Sequence, residues 1–553
     1  MTTPAPHDTH KVTNQPPPLE GYDAFGADVA LVEAVRREAA GWAEDALHDL
    51  GVLAGSAEAI GWGFDANANP PVLRTHDRYG HRLDRVDYHP SYHRLTAVAV
   101  EHGLHGAPWA DPRPGAHVAR AAGSLLWGQV DAGHGCPISM TYSVVPALGA
   151  APDLLAEWMP LLTSRSYDPS FAPASAKAGA LAGMGMTEKQ GGSDVRAGST
   201  RAEPVGDGWR LTGHKWFCSA PMCDVFLMLA QAPGGLSCFL VPRFTPDGSP
   251  NPFRLQRLKD KLGNRSNASS EVELDGTWAR MVGEEGRGVA TIIEMVNHTR
   301  LDCVVGAASG IRQAVAQACH HARHRSAFGR DLVDQPLMTA VLADLAVESE
   351  AATAVAMRLA RAYDEGAGEA GLRRLATAVA KYWVCKRHPV AVVEALECLG
   401  GNGYVEESIM PRLFRESPLN GIWEGSGNVI CLDVLRAMAR NPESVEAYMA
   451  ELATAAGGDH RLDAAIAAVG SDLAALAGRT PEDAQAGARR LVERLALALQ
   501  GALLVRDGHP AVADAFCASR LGDGGRAFGT MPAAGALGAL DHRAIVERAT
   551  PKL

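Results

Sequence analysis

Between about Gly183 and Gly288 the chain changes period, and that change limits what it can fold into. Before it, and again from Val289, apolar residues recur at helical spacing, as in ADVALVEAVRREAAGWAEDALHDLG and VATIIEMVNHTRLDCVVGAASGIRQAVAQACHHARHR. In between, short β-prone runs (WRLTGHKWF, VFLMLAQA, SCFLVPRF, SSEVELDG) alternate with turn signals at Gly206-Asp207-Gly208, Pro233-Gly234-Gly235 and Pro246-Asp247-Gly248. Strands grouped between helical stretches, without βαβ alternation, point to an α+β fold whose middle is an antiparallel sheet or small barrel. The expected order is an extended Pro-rich arm over 1–25, a helical domain over 26–182, a β domain over 183–288, a helical bundle over 289–444 and an Ala-rich helical extension over 445–553. The stretch from Val289 suits one helix of about ten turns, tolerating Gly306 and Gly310. Pro336 stands where the next helix would begin. The segment around NANPPVLRTHDRYG reads as a loop.

Size and charge exclude some classes of function. A chain of 553 residues can hold about two to four domains with sizeable cores. Its Lys+Arg count of 52 against 63 Asp+Glu gives a net charge of −11, which offers no global attraction to nucleic acid or anionic membrane. The ten cysteines are scattered without CxxC pairs, so reduced thiols in a cytoplasmic protein are expected. MTTPAPHDTH lacks a basic start followed by an apolar run, and no signal peptide is expected. No apolar stretch is long enough to span a bilayer.

The segment IWEGSGN, Ile422 to Asn428, sets one carboxylate, Glu424, between a broad aromatic, Trp423, and Gly425. A carboxylate among apolar groups pays desolvation, which raises its pKa toward neutrality. Gly425 admits close approach to the main chain. Together these suit a general base acting beside a flat molecule. They equally suit a helix N-terminus, with Ser426 or Asn428 as cap.

Four other segments carry groups able to hold a cofactor. In GMGMTEKQGGSDV, Met186 and Thr187 can present backbone and hydroxyl groups, while Gly191, Gly192 and Ser193 can form a nest of N–H donors. In GHKWFCSA, Trp216 and Phe217 supply aromatic walls and Ser219 a hydroxyl, although aromatics on a strand are more often core. HARHRSAFGRDLVDQ offers Arg325 for a pyrophosphate, Phe328 as an apolar wall and Gln335 as a donor–acceptor pair, or simply a solvated basic helix end. ECLGGNGY brings Glu397, Gly400 and Gly401 to a helix end, where a Gly pair can be a C-cap or a phosphate contact. His320, His321 and His324 lack a carboxylate or Cys partner at ligand spacing, so no metal is expected.

The order and spacing of these segments resemble the acyl-CoA dehydrogenase superfamily. TEKQGGSD, K-W-F-C-S, R-S-A-F-G, GGNGY and WEGS stand where that family has its flavin and base motifs. NQPPPL, GHGCPISMTY, RLKDKLGNRSNAS, QPLM and the long C-terminal extension bring the match closer to its AidB-type, adaptive-response branch. The resemblance implies FAD between the β domain and the helical bundle, and assembly as a homotetramer. Met186, Thr187, Gly192, Ser193, Trp216, Phe217 and Ser219 would cradle the isoalloxazine and ribityl end. Arg325, Phe328, Gln335, Glu397, Gly400 and Gly401 would meet the adenosine end across a subunit contact. Trp423, Ser426 and Asn428 would close on the cofactor beside the base. The reaction implied is α,β-desaturation of an acyl thioester. Glu424 takes the α-proton, the β-hydrogen leaves as hydride to the flavin, and the base residue's own N–H helps to stabilise the enolate.

Some relatives carry the base just before a family arginine that matches Arg300, but the residue there is Thr299, which leaves Glu424 alone in the role. Phe217 stands for a family Trp, Glu397 for a Gln and Trp423 for a Tyr, which argues against efficient turnover of ordinary straight-chain acyl-CoA. The electron acceptor implied is an electron-transfer flavoprotein, with oxygen as the alternative. The branch also implies a different function, a DNA-protective protein that keeps FAD with weak dehydrogenase activity and meets duplex DNA through its C-terminal region. That region, from Val445, holds 11 Lys+Arg against 13 Asp+Glu.

Overall fold

The change of period survives folding as two hydrophobic cores. The computed structural model describes residues 9–366 and 368–552; the first eight residues of the expected arm lie outside them. One core gathers helices from both ends of the chain, and the other fills the middle sheet and the helix Gly135–Leu148 laid against it. Trp423 packs against both cores.

The described part of the arm contains no helix or strand, but it does not trail in solvent. Leu19, Tyr22 and Phe25 are buried, and Gly21 N–H donates to Gly55 O at 2.7 Å. The Pro run denies the arm a ladder of its own, and its apolar residues find the helical core instead. The expected loop near residue 77 is a hairpin, Val72–His76 paired antiparallel with Arg82–Asp87. Asp77 Oδ1 accepts from Tyr79 N–H and His81 N–H, closing its turn.

Seven strands form the middle sheet. Five of them close on themselves: Arg201–Val205 pairs with Gly208–Ser219, which pairs with Ser269–Val282, then Gly235–Pro242, then Val225–Ala232, which bridges back to the first. Closure leaves few free edges. The expected antiparallel pairing holds for most of the sheet. The entering strand Ala182–Gly185, however, runs parallel to Val225–Ala232, because it arrives from a helical domain rather than from a hairpin.

The helix Gly288–His324 is continuous over 37 residues, as its pattern predicts. It is buried along most of its length because helices Gly135–Leu148, Pro336–Asp364 and Ala370–Cys398 all pack on it. Helix Pro481–Asp507 of the extension lies against this bundle. No described helix is long and apolar enough to cross a membrane.

Candidate active site

The β strand Gly208–Ser219 shapes one wall of the site through a defect. Lys215 pairs with Val272 and Cys218 with Ser270, so three steps on one strand oppose two on the other. Such a bulge bends a strand and re-aims its side chains. Here Phe217, 50% exposed, turns into a cavity of about 690 Å³, and Ser219 faces it two residues on. Trp216 does not line this cavity: its ring sits under the Lys259 ammonium, 3.2 Å from the ring centroid, and its backbone N–H donates to Thr187 O at 2.9 Å. Of the two strand aromatics, Phe217 is the one that lines the cavity.

The loop after Gly185 brings Met186, Thr187, Gly192 and Ser193 to the same cavity. Glu188 ties the loop down. Its carboxylate accepts from Ser199 N–H, Thr200 N–H and the buried Lys215 ammonium, the last at 2.9 Å. Burial alone would raise its pKa; the Lys215 charge and these donors overcome that and hold it well below the usual carboxylate range. A Cβ on Gly192 would lie 2.6 Å from Thr187 Oγ1, so the turn needs glycine there.

Glu424 faces this wall from the helical side. Its backbone is left-handed, φ +56°, and Gly425 follows at φ +109°. A non-glycine residue held this way costs about 1–3 kcal/mol and persists only where the surroundings over-determine it. Here they do. The Lys381 ammonium, almost wholly buried, donates to Trp423 O at 2.8 Å and to Gly425 O, while Arg300 Nε donates to Glu424 O at 3.1 Å. Arg300 is itself paired with buried Asp433 at 2.8 Å, and Arg374 holds the other side of that carboxylate. Two cations thus take three consecutive carbonyls, and the Glu424 N–H donates to no acceptor among the described residues. Trp423 is fixed by its indole N–H, which donates to Asn420 Oδ1 at 2.8 Å.

The Glu424 carboxyl lines the cavity, with Oε2 2.7 Å from Thr299 Oγ1 and no hydrogen bond to Oε1. Burial raises its pKa above the ordinary carboxylate value, outweighing the opposing pull of Thr299, Arg300 and Lys381. Thr299 Oγ1 also lies 3.0 Å from Val296 O. A hydroxyl has one proton to give, so Thr299 can donate to the carboxylate, or turn to Val296 O and accept from the protonated acid.

Of the other residues singled out in the sequence, Ser426 alone reaches the cavity. Ser426 lines it and occupies the N-cap position of helix Gly427–Arg440, but its side chain makes no capping bond. Asn428 is exposed and its Oδ1 accepts from Arg489 Nε of the extension at 2.9 Å, so it closes on the extension, not on the cavity. Arg325, Phe328, Gln335, Glu397, Gly400 and Gly401 cluster elsewhere. Arg325 donates to Asn14 O and forms no ion pair with Glu397 among the described residues. Gln335 holds Ala327 O at 2.9 Å. The arm links both halves of this cluster, Asn14 to Ser326 and Gln15 to Asn402. Phe328 sits at the tip of a two-residue hairpin loop, fully exposed.

Lys381 and the partnership of Thr299 with Glu424 are the residues that motif reading misses. The one signal for Lys381 is a lone cation in the apolar helical run ATAVAKYWV. No group of three or more His, Cys, Asp and Glu side chains among the described residues is arranged to hold a metal.

Three family models match in succession: the adaptive response protein AidB N-terminal domain over residues 14–169, the acyl-CoA dehydrogenase middle domain over 183–277 and the acyl-CoA dehydrogenase C-terminal domain over 286–439. The chain is 46% identical over 514 residues to AidB of Escherichia coli (strain K12), covering 92% of this chain and 94% of that protein. Among solved structures it is similar to Caenorhabditis elegans ACDH-11 in complex with C11-CoA, with a TM-score of 0.84 at 28% identity over 94% of this chain and 96% of that one. It is also similar to Bd2924 in its apo-form, with a TM-score of 0.82 at 29% identity over 90% of this chain and 100% of that one.

Proposed function

The chain belongs to the acyl-CoA dehydrogenase family, in its AidB-type branch, and on that premise we propose that it desaturates an acyl thioester between Cα and Cβ, with Glu424 as general base. The observation that carries this reading is the Glu424 carboxyl, raised in pKa by burial, with Oε1 unengaged, in one cavity with Phe217 and the hydroxyls of Thr187, Ser193 and Ser219. The cavity fits FAD in size for a ligand site, with a flat apolar wall on one side and main-chain and hydroxyl groups beside it. Met186, Thr187, Gly192, Ser193, Phe217 and Ser219 would hold its ring end, and Trp423 and Ser426 would close on it. FAD, when bound, supplies the acceptor for the hydride that leaves Cβ.

The chain's own residues do the rest. Glu424 Oε1 takes the α-proton, and the unengaged Glu424 N–H donates to the thioester oxygen as negative charge grows there. Thr299 donates to Oε2, which favours the ionised base and leaves Oε1 to receive the proton. Lys381 and Arg300 keep the loop in the one conformation that aims both groups. Trp423, wedged between the two cores, keeps water out and strengthens these bonds.

Phe328, exposed together with Glu397, Gly400 and Gly401 and flanked by half-buried Arg325, supports a homotetramer in which these residues meet a neighbour's cofactor. The ten cysteines, all buried and unpaired, support a cytoplasmic setting. An electron-transfer flavoprotein is the acceptor we favour. Duplex DNA has less support as a partner, because Arg461, Arg494, Arg506, Arg520 and Arg548 of the extension already face carboxylates.

Anaerobic titration of the FAD-loaded protein with short, branched and straight acyl-CoA esters tests the reading. Bleaching of the flavin absorbance by at least one ester, and its loss in Glu424→Gln, is expected. A protein that carries FAD and stays oxidised across the series is not a desaturase.

A further inference from the structure

The cavity's helical wall is unexpectedly polar. Ser124, His388, Arg412 and Glu416 line this cavity, and Ser124 Oγ, both ring nitrogens of His388, Arg412 Nη1 and Glu416 Oε2 are buried with no partner among the described residues. Side chains of His388, Arg412 and Glu416 are at most 9% exposed. Buried polar atoms without a partner are rare in folded proteins, and four residues sharing one cavity wall describe a site for something that hydrogen-bonds.

Glycines on two helices let neighbouring side chains pack close around this part of the cavity. Ser124, Gly128 and Asp131 follow one another at helical spacing on the cavity side of helix Ala116–Gly128 and its continuation, and Gly306 and Gly310 do so on the long helix. A Cβ on Gly310 would collide with His388 Nε2, so the bare helix is what lets the imidazole sit there.

We infer that the acyl group taken by this enzyme carries an uncharged hydrogen-bonding function, a hydroxyl or a carboxamide, at the end remote from the thioester. The inference rests on the thioester reading above and names its substrate class. The chemistry of the wall selects this class over two others. An alkyl end would displace water and leave every one of these atoms unanswered, which a site built this way penalises heavily. A carboxylate end would find no spare positive charge: Arg412 lies beside Asp131, and Lys261 beside Glu416. Burial also pushes His388 down to about 3, so its ring is neutral and offers one donor and one acceptor. A hydroxyl or carboxamide has both to return.

Calorimetric binding to the FAD-loaded Glu424→Gln protein tests this without turnover. The ligands are matched acyl-CoA sets of about four to eight carbons, differing only in an ω-methyl, ω-hydroxyl, ω-carboxamide or ω-carboxylate group. At one chain length the hydroxyl or carboxamide member should bind about tenfold or more tighter than its methyl counterpart. Ser124→Ala and Glu416→Leu should each bring that ratio toward one. Methyl-ended esters binding as well at every length would overturn the inference, because ordered water alone then answers these groups. So would a preference for the carboxylate, or a ratio that neither substitution moves. Flavin bleaching in the unsubstituted protein is read separately. Tight binding of a hydroxylated ester without bleaching removes the desaturase reading and leaves the polar subsite standing; bleaching by alkyl esters without the preference does the reverse.

Discussion

Two places in this molecule share an unusual backbone step, a large residue in the left-handed region followed by a left-handed glycine: Glu424-Gly425 and Phe328-Gly329. Both carry a similar strain, and they resolve it in opposite ways. At Glu424 the chain supplies every constraint itself, through Lys381, Arg300 and Thr299, and the side chain ends in a cavity. At Phe328 the turn is held by the hairpin, Ser326 paired with Asp331 and Ala327 with Arg330, and by side-chain bonds from Asn14 to Ser326 and from Gln335 to Ala327, and the ring ends in solvent. A two-residue hairpin loop favours positive φ at both central positions and is normally met with Asn-Gly or Gly-Gly. A phenylalanine there is fully exposed among the described residues, and in the tetramer proposed above its ring would meet a neighbour. One strained step sets its side chain in the candidate site, and the other sets its side chain in solvent.

The sharpest way to break this comparison is at the base. Glu424→Gln keeps the shape and the backbone bonds but cannot take a proton. Reduction of the flavin by a competent acyl-CoA should slow by about 10²- to 10⁴-fold, while FAD content and melting temperature stay near those of the parent. Rapid-mixing spectroscopy at the flavin band measures it. A rate within tenfold of the parent would remove Glu424 from the mechanism.

Next in size is the loop's anchor. Lys381→Met preserves bulk and deletes the donor to Trp423 O and Gly425 O. With those carbonyls unanswered the left-handed turn relaxes, and misplacement on the scale of an ångström costs roughly 10²-fold in rate. The protein should also melt lower, since a buried charged donor is lost. The comparison is sharpened if kcat falls far more than KM rises, because the lost contact positions the base and does not touch the thioester.

How much of this was legible in the sequence depends on the distance over which a residue's role is set. The long helix, the strands and Pro336 as a helix start follow from local periodicity, and the structure keeps them. Glu424 stood out because its neighbours in the chain, Trp423 and Gly425, are also its neighbours in space. Lys381 lies 43 positions before Glu424 in numbering, and nothing local says which carbonyls it will find. Trp216 and Phe217 were indistinguishable until the bulge between Lys215 and Cys218 assigned them to opposite sides. Asn428 read as a flavin contact because the motif ends there, but Arg489 from the extension takes its oxygen. The arm's prolines predicted an extended segment, and they were silent on the buried anchors Tyr22 and Phe25.

A subtler change concerns the base's own partner. Thr299→Val removes the hydroxyl that favours the ionised carboxylate, leaving burial to raise the Glu424 pKa further. Because the base acts only when deprotonated, the acid limb of the kcat/KM profile should move to higher pH. The loss should therefore be larger at pH 6 than at pH 9, and the profile against that of the parent measures it. A uniform loss at both pH values would mean that Thr299 orients the carboxyl without tuning it.

The smallest expected effect is at the other strained step. Phe328→Asn gives the hairpin the residue its turn geometry prefers. Folding stability should stay level or rise by at most about 1 kcal/mol, since the fully exposed ring makes no contact within the chain worth losing. The same exchange at Glu424 would also relieve strain but would destroy the reaction. If Phe328 packs on a neighbouring subunit and its cofactor, Phe328→Asn should show that stability only in the isolated chain, while the assembled protein dissociates at lower dilution and gives up FAD more readily. Light scattering and flavin fluorescence across a dilution series separate the two effects. Unchanged assembly and unchanged FAD retention would leave the exposed ring without the partner that the proposed tetramer gives it.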